Sequence, residues 1–170
     1  LIDTPGGEVT ATILADGTVE VDLGAPDFDP AAAHFAAGPR ARAYDVDAGG
    51  RQVTIGVVSV GNPHAVIFVA DPDRAPVERL GPLIENHPAF PNRVNVEFAT
   101  PVGRRRIRQR TWERGTGETL ACGSGACAVA VVSMLEGRVD REVAVELRGG
   151  GLEIAWPGPE SPVFMTGPAS

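Results

Sequence analysis

The segment "GETLACGSGACAVA", residues 117–130, contains both cysteines of the chain, Cys122 and Cys127. Cys122 precedes an apolar run that predicts a helix, so it lies where the first backbone N–H groups have no acceptor within the helix. The partial positive charge there stabilises a thiolate and binds carboxylates, and glycines at 123 and 125 let a ligand approach the backbone. The turn therefore predicts an exposed, reactive thiol with a modestly lowered pKa. The alternative is a small residue in a tight turn.

Cys127 has a different predicted environment. It lies inside the apolar run, five residues beyond Cys122, so a helix turns its side chain away from Cys122. We interpret Cys127 as core packing. The same geometry argues against a metal site or a redox pair built on the C-x4-C spacing.

The basic residues of the chain exclude one common route of amino-acid chemistry. All fifteen are arginine, and lysine is absent. The chain therefore cannot form a Schiff base with pyridoxal phosphate or with a carbonyl substrate. We expect any amino-acid chemistry in this chain to proceed without that electron sink.

The stretch "VGNPHAVIF" places a polar group between two apolar strands. Asn62 offers a hydrogen-bond donor and an acceptor together, and His64 can tune a nearby proton transfer. These features indicate a binding or catalytic role. A turn stabilised by its own asparagine and proline is the structural alternative.

Three further polar residues follow later in the chain. Asn95 lies in "PNRVNVEF", where its apolar neighbours point to the opposite face of a strand. Glu113 and Arg114 stand side by side before Cys122, where they can bind the ammonium and the carboxylate of an amino acid. An exposed ion pair between the two is the alternative.

The run "RRRIRQR" resembles a nucleic-acid-binding stretch at first sight. Alternation places Arg104, Arg106, Arg108 and Arg110 on one strand face without interleaved aromatic residues. The formal net charge of −7 also argues against a general nucleic-acid surface. We interpret the run as a solvated face.

Most of the sequence predicts short strands separated by glycine and proline, with hairpins at Asp16-Gly17 and near Gly149. "PVERLGPLIENH" and residues 123–136 predict helices, the second ending at Gly137. The second is apolar all round, which marks a helix enclosed on every side. We therefore predict an α+β fold, with a curved, mostly antiparallel sheet rolled around a central buried helix.

No apolar run approaches the roughly 18 residues of a membrane span. Two cysteines do not make the disulfide framework of a small secreted domain, so the sequence favours a reducing cytoplasm. We expect neither a membrane nor a nucleic acid as a partner.

"GNPHAV", "FPNRVNV" and "ERGTGETLACGSGACA", in this order and at these separations, closely resemble the C-terminal half of the diaminopimelate epimerase family. The resemblance extends from "GGEVTATILADG" to the closing "MTGPA". It implies a cofactor-independent isomerase that interconverts LL- and meso-diaminopimelate for lysine and peptidoglycan synthesis. Two cysteines act on opposite faces of the α-carbon, and the active site lies between two similar lobes, each a sheet rolled around a helix.

The resemblance also implies roles for individual residues. Cys122 takes the role of the C-terminal catalytic cysteine, and the backbone amides of Gly123 and Ser124 hold the α-carboxylate. The residues implied to bind the distal amino-acid head are Asn62, Asn95, Glu113 and Arg114. His64 and Glu113 are implied to lie near the thiols and to modulate their pKa values.

The chain departs from the family in one respect: no "CGNG"-like turn with a second cysteine precedes Cys122. Residue Leu1 is not methionine and begins a predicted strand. We therefore expect residues 1–170 to be a single C-terminal lobe. Its expected partners are the N-terminal lobe that carries the second cysteine, a small amino-acid substrate, and a second copy in a homodimer.

Two other functions stay open. A related cofactor-independent isomerase, such as a proline racemase, shares the double-lobed fold. Glu113 and Arg114 argue against it, because a proline-like substrate has no distal zwitterion. A lobe that binds an amino acid without turnover is the other alternative.

Overall fold

A computed structural model of the chain describes residues 2–4, 7–36 and 38–169. Leu1, where the sequence predicts the opening strand, lies outside the described residues. The strands of the described part are β1 (Ile2–Thr4), β2 (Gly7–Ile13), β3 (Val19–Asp22), β4 (Tyr44–Ala48), β5 (Arg51–Ser59), β6 (Pro63–Phe68), β7 (Asn95–Pro101), β8 (Arg106–Glu113), β9 (Gly117–Thr119), β10 (Glu142–Leu147), β11 (Gly150–Ala155) and β12 (Phe164–Gly167). The helices are α1 (Val77–Glu85) and α2 (Gly123–Leu135), and 3₁₀ turns span Pro30–Ala33 and Pro72–Arg74.

The strands form one sheet in the order β1-β2-β3-β12-β11-β10-β8-β7-β6-β5-β4, with β9 added beside β8. Neighbours in this order pair antiparallel, except for the parallel pairs β6–β7 and β8–β10. The predicted hairpins are present, since β2 pairs with β3 and β10 pairs with β11. The prediction of an α+β fold with a mostly antiparallel sheet is confirmed. The sequence analysis missed the short strands β4 and β9.

Helix α2 lies inside the curved sheet and contacts strands along most of its length, including β5, β6, β7, β10 and β11. Every residue from Gly125 to Met134 is buried, as the uniformly apolar sequence predicts. Gly137 adopts the left-handed conformation, with φ of 72°, just beyond the helix end. The prediction of a central enclosed helix that ends at Gly137 is therefore confirmed. Of the described residues, no helix is long and apolar enough to cross a bilayer.

A second core lies on the other face of the sheet, where α1 contacts β4, β7 and β8 and the 3₁₀ turn Pro30–Ala33 contacts β5 and β6. Val77, Leu80 and Ile84 of α1 are buried there, at the helical spacing read from the sequence. Strands β6 and β7 are therefore buried on both faces, by α2 on one side and by this core on the other. A strand buried on both faces needs a nearly continuous apolar run. The polar side chains that interrupt β6 and β7 thus lie inside the protein.

The arginine face of β8 differs in part from the prediction. Arg104 and Arg106 are exposed and pair with Asp140 and Glu146. The side chain of Arg110 is only 10% exposed, and its Nε and Nη2 atoms lie 2.7 and 2.9 Å from the Glu118 carboxylate. The interpretation as a solvated face is therefore wrong for Arg110. Its ion pair fastens β9 to β8, and β9 leads directly to Cys122.

Candidate active site

The first turn of α2 places Cys122 beside the ends of β6, β7 and β8. Cys122 is the N-cap of the helix and is half-buried, and its Sγ accepts the Gly125 N–H at 3.3 Å. The Ser124 hydroxyl lies 3.5 Å from the same sulfur. None of the hydrogen bonds found among the described residues uses the N–H of Gly123 or Ser124. Two backbone donors therefore remain available beside the thiol.

The structure corrects the predicted acidity and exposure of Cys122. Burial raises its pKa to about 11, and the carboxylates of Glu97 and, more weakly, Glu113 add to that effect. Hydrogen bonds from Ser124 and Gly125 act in the opposite direction but do not outweigh it. The expectation of an exposed thiol with a lowered pKa is wrong, because the thiol is partly buried and carboxylates from β7 and β8 lie near the helix N-terminus.

Cys127 lies in the core, as the sequence predicts. It is fully buried on α2, and burial raises the pKa of its thiol further than that of Cys122. Both cysteines are free thiols. In the part of the chain that the structure describes, no group of three or more His, Cys, Asp or Glu side chains is arranged to hold a metal ion.

A chain of hydrogen bonds connects the Asn-Pro-His segment to Cys122. His64 is fully buried, and its Nε2 lies 2.9 Å from Asn62 Oδ1. The Asn62 amide Nδ2 donates to Ser124 Oγ at 3.2 Å. The structure thus brings together Asn62, His64 and Ser124 beside Cys122, through contacts that join β6 to the first turn of α2. A turn stabilised only by its own residues does not account for these contacts.

The sequence analysis missed Glu97, which completes this chain of contacts. Its Oε1 lies 2.8 Å from His64 Nδ1, and both side chains are fully buried. Asn95 and Glu97 share one face of β7, because alternate residues of a strand point the same way. The available signal was an acidic residue within the otherwise apolar run "NVEFA".

The second group of predicted residues lies at the end of β8. Asn95 is 6% exposed; its Oδ1 accepts the backbone N–H of Arg114 at 2.8 Å, and its Nδ2 donates to Pro63 O at 3.0 Å. Asn95 therefore ties the Arg114 turn to the Asn-Pro-His segment. Glu113 Oε1 accepts a hydrogen bond from the Thr119 hydroxyl at 2.8 Å.

Arg114 carries an available charge. Its guanidinium donates to Asn92 O at 3.3 Å, and among the described residues it forms no salt bridge, with Glu113 or any other acid. The alternative of an exposed Glu113–Arg114 ion pair is therefore not observed. A guanidinium without an acidic partner can bind a carboxylate with two parallel hydrogen bonds.

A family model described as diaminopimelate epimerase matches residues 56–170. The chain belongs to the diaminopimelate epimerase family. It is 51% identical over 168 residues to the diaminopimelate epimerase of Stutzerimonas stutzeri, covering 99% of this chain and 61% of that protein. The diaminopimelate epimerase of Nitrosomonas europaea is 49% identical, with 99% of this chain and 61% of that protein covered. The chain thus spans about 61% of the length of these relatives.

The fold of the chain is similar to that of two solved structures. A probable proline racemase from Agrobacterium radiobacter superposes with a TM-score of 0.64 at 17% identity, covering 96% of this chain and 55% of that one. A hydroxyproline epimerase from Agrobacterium vitis superposes with a TM-score of 0.63 at 17% identity, covering 98% and 56%. At this identity the likeness establishes the fold alone.

The sequence analysis also missed Glu85 in this member of the diaminopimelate epimerase family. It is buried at the end of α1, and its Oε2 accepts the Gly115 N–H at 2.6 Å. Its Oε1 accepts the Trp112 indole N–H at 3.0 Å. Glu85 therefore stabilises, from α1, the turn that carries Glu113 and Arg114.

Gly125 gives a test of how tightly the site is packed. A Cβ atom built on Gly125 lies 2.7 Å from Glu97 Oε1 and 3.2 Å from Cys122 Sγ. Alanine in a helix interior usually gains about 1 kcal/mol over glycine. We expect Gly125→Ala instead to lower the free energy of unfolding by about 1–3 kcal/mol, because the buried carboxylate has no room to move.

Urea unfolding followed by circular dichroism measures this change. Gly158→Ala is the matched control, since a Cβ built there meets nothing within 4 Å, and it should change the free energy by less than about 0.5 kcal/mol. A Gly125→Ala protein as stable as the wild type would show that Glu97 is not fixed above the helix.

Proposed function

We propose that the chain is the C-terminal catalytic lobe of a diaminopimelate epimerase. It would interconvert LL- and meso-2,6-diaminopimelate without a cofactor, for lysine and peptidoglycan biosynthesis. The observation that carries the proposal is a thiol, Cys122, beside two backbone N–H groups that no hydrogen bond among the described residues uses. The Arg114 guanidinium, which has no acidic partner among those residues, lies at a neighbouring strand end. Membership of the family supports this reaction for the arrangement.

The backbone amides of Gly123 and Ser124 would bind the α-carboxylate of the substrate. Removal of the α-proton leaves negative charge that spreads onto this carboxylate. Donors fixed in advance at a helix N-terminus stabilise such charge where it develops. This stabilisation takes the place of the Schiff base that a chain without lysine cannot form.

Inversion of the α-carbon needs a base on one face and an acid on the other. A thiolate on the first face takes the α-proton as the C–H bond breaks, and a thiol on the second face gives its proton to the carbon. With a pKa raised to about 11, Cys122 is a thiol at neutral pH and suits the role of the donor. In the reverse direction the two cysteines exchange roles.

The second thiol has to come from outside this chain. Cys127 is fully buried in the core on α2, so it cannot face the substrate. We therefore propose that residues 1–170 form one lobe, and that an N-terminal lobe supplies the other cysteine and closes the site. We also propose that the complete enzyme works in the cytoplasm, where thiols stay reduced, and that it forms a homodimer.

The distal end of the substrate would lie against the β8 end of the site. Arg114 would bind the distal carboxylate and Glu113 the distal ammonium, with Asn62 and Asn95 completing the contacts. His64 and Glu113 would modulate the thiols. A proline racemase-like activity has no use for the Arg114 guanidinium, and an amino-acid-binding lobe has no use for a thiol at the carboxylate site.

Substitution of Arg114 tests the proposed substrate. The completed protein is defined here as this chain joined to the part of the Stutzerimonas stutzeri relative that it does not match. In the completed protein, Arg114→Ala should reduce kcat/KM for diaminopimelate, because it removes a charge-assisted hydrogen bond that stabilises the bound substrate by about 1.5–3 kcal/mol. The loss should be small for an analogue that lacks the distal amino-acid head.

A coupled assay of meso-diaminopimelate formation measures both rates. Arg105→Ala is the matched control, because that side chain is 87% exposed in the loop before β8, and it should leave both rates unchanged. Equal losses for diaminopimelate and the analogue would give Arg114 a structural role. A completed protein that folds without inverting diaminopimelate would contradict the proposed function itself.

A further inference from the structure

The buried carboxylate of Glu97 has no role in the mechanism described so far. It is fully buried on β7, and its Oε1 contacts His64 Nδ1 at 2.8 Å. Its Oε2 has no hydrogen-bond partner among the described residues. An acid in such a place is costly to the fold unless its charge is compensated. The carboxylate also lies over Gly125, on the side where the Cys122 sulfur is found.

Counting donors and acceptors fixes where the protons of this group are. The Oδ1 atom of Asn62 can only accept a hydrogen bond, so the Nε2 atom of His64, 2.9 Å away, must carry a hydrogen. The short contact between His64 Nδ1 and Glu97 Oε1 then needs one proton between its two atoms. Glu97 and His64 therefore share one proton and carry no net charge as a pair.

The same counting continues from Asn62 to the sulfur. The Asn62 amide donates to Ser124 Oγ at 3.2 Å, which leaves the Ser124 hydroxyl hydrogen free to point at Cys122 Sγ, 3.5 Å away. The Gly125 N–H donates to the same sulfur. Two donors, the Ser124 hydroxyl and the Gly125 N–H, therefore point to Cys122 Sγ. The direction of the Ser124 hydroxyl depends on the hydrogen on His64 Nε2, because that hydrogen orients Asn62.

We propose that Glu97 is a positioning residue of this site: the proton that it shares with His64 orients Asn62 and Ser124, so that a hydrogen bond ends on the sulfur of Cys122. The inference rests on the proposed function only where it takes Cys122 to be the group that transfers the proton. Glu97 itself contacts neither Cys122 through a hydrogen bond nor the proposed positions of the substrate.

The charge of Glu97 acts on Cys122 as well. The titratable groups that act on Cys122 are Glu97 from β7, Glu113 from β8 and Cys127 from α2, and His64 from β6 reaches it only through Asn62 and Ser124. After burial, Glu97 is the largest cause that raises the pKa of Cys122. Glutamine at position 97 has the same shape and can still donate to His64 Nδ1, so the pair stays without net charge. What it removes is the carboxylate end of the pair, which lies over Gly125 beside the sulfur.

Alkylation of Cys122 in this 170-residue chain at a series of pH values tests the inference. Glu97→Gln should move the half-maximal rate to a lower pH, because it removes the carboxylate beside the sulfur. The shift should be smaller than for loss of an isolated like charge, because the opposing charge on His64 is lost with it. Ser124→Ala should move the half-maximal rate to a higher pH, because it removes a donor to the sulfur. Glu146→Gln removes a carboxylate from a surface ion pair with Arg106 and should leave the profile unchanged.

An unchanged profile in both Glu97→Gln and Ser124→Ala, or an upward shift in Glu97→Gln, would overturn the proposal. Nitrogen-15 spectra of the histidine rings give a second readout that needs no variant. They should show a hydrogen on His64 Nε2 in the wild-type chain at neutral pH, and an unprotonated Nε2 would overturn the proposed proton arrangement. Neither readout depends on turnover, so their failure is distinguishable from failure of the proposed function.

Discussion

Replacing Cys122 by alanine in the completed protein should lower the rate of diaminopimelate inversion by roughly 10²- to 10⁴-fold, the usual contribution of a positioned acid or base. The reason is that one face of the α-carbon then lacks a group to give or take the proton. KM should change much less than kcat, because the proposed contacts that bind the α-carboxylate come from the backbone amides of Gly123 and Ser124 and not from the sulfur of Cys122.

Cys127→Ala is the control for this result. Its side chain is fully buried on α2 and faces the core, so the substitution should affect the stability of the completed protein while leaving kcat close to the wild-type value. Circular dichroism should show that both variants fold. A Cys122→Ala enzyme that keeps more than a tenth of the wild-type rate would remove Cys122 from the chemistry.

A related prediction concerns the activity of the 170-residue chain alone. With one thiol at the site it should neither invert diaminopimelate nor exchange the α-proton with deuterium at enzyme-like rates. The completed protein should do both. Exchange catalysed by the chain alone would contradict the proposal that a second lobe supplies the opposite thiol.

The fold could be predicted where a local pattern decides it. Helix α2 is apolar at every position, and only a place inside a sheet satisfies such a helix, so its burial followed from the sequence. The short strand β9 could not be predicted in this way. Three residues carry too little pattern, and the strand depends on the pairing of Glu118 with Arg110 of β8.

The sequence indicated which residues lie near Cys122, but it did not indicate the charges and burial around that thiol. Cys122 lies far from Asn62 and His64 in sequence, and the first turn of α2 brings them together. The parallel pairing of β6 with β7 places Glu97 beside His64. Glu97 was missed because an acid in a strand usually faces water. Only the burial of both faces of β7 shows that this one lies inside the protein.

The pKa of Cys122 was mispredicted for the same reason. The helix N-terminus is visible in the sequence, and its effect of about 0.3–1 kcal/mol favours the thiolate. The opposing burial and the carboxylate of Glu97 come from other elements of the fold. A pKa sums over all neighbours in space, so the nearest neighbours in sequence gave the wrong sign.

The two thiols should differ greatly in their reaction with iodoacetamide, since Cys122 is half-buried and Cys127 is fully buried. Alkylation requires both a thiolate and access to it. Cys122 satisfies the second requirement at all pH values and the first increasingly as pH rises, because its pKa is raised to about 11. We expect label on Cys122 well before Cys127 in the folded chain.

The labelling rates should also change in a definite direction with pH and with unfolding. Below pH 11 the Cys122 thiolate is a minority that grows about tenfold per pH unit, so its labelling rate should rise steadily across that range. In denaturant both thiols return towards their ordinary pKa, so labelling near pH 8 should accelerate by about a hundredfold for Cys122 and by more for Cys127. Peptide mass spectrometry at limiting reagent measures each site separately. If Cys127 reacts first in the folded chain, or if unfolding slows the reaction of Cys122, the thiol is not held beside the buried carboxylate as the structure places it, and its proposed part in proton transfer loses its geometric basis.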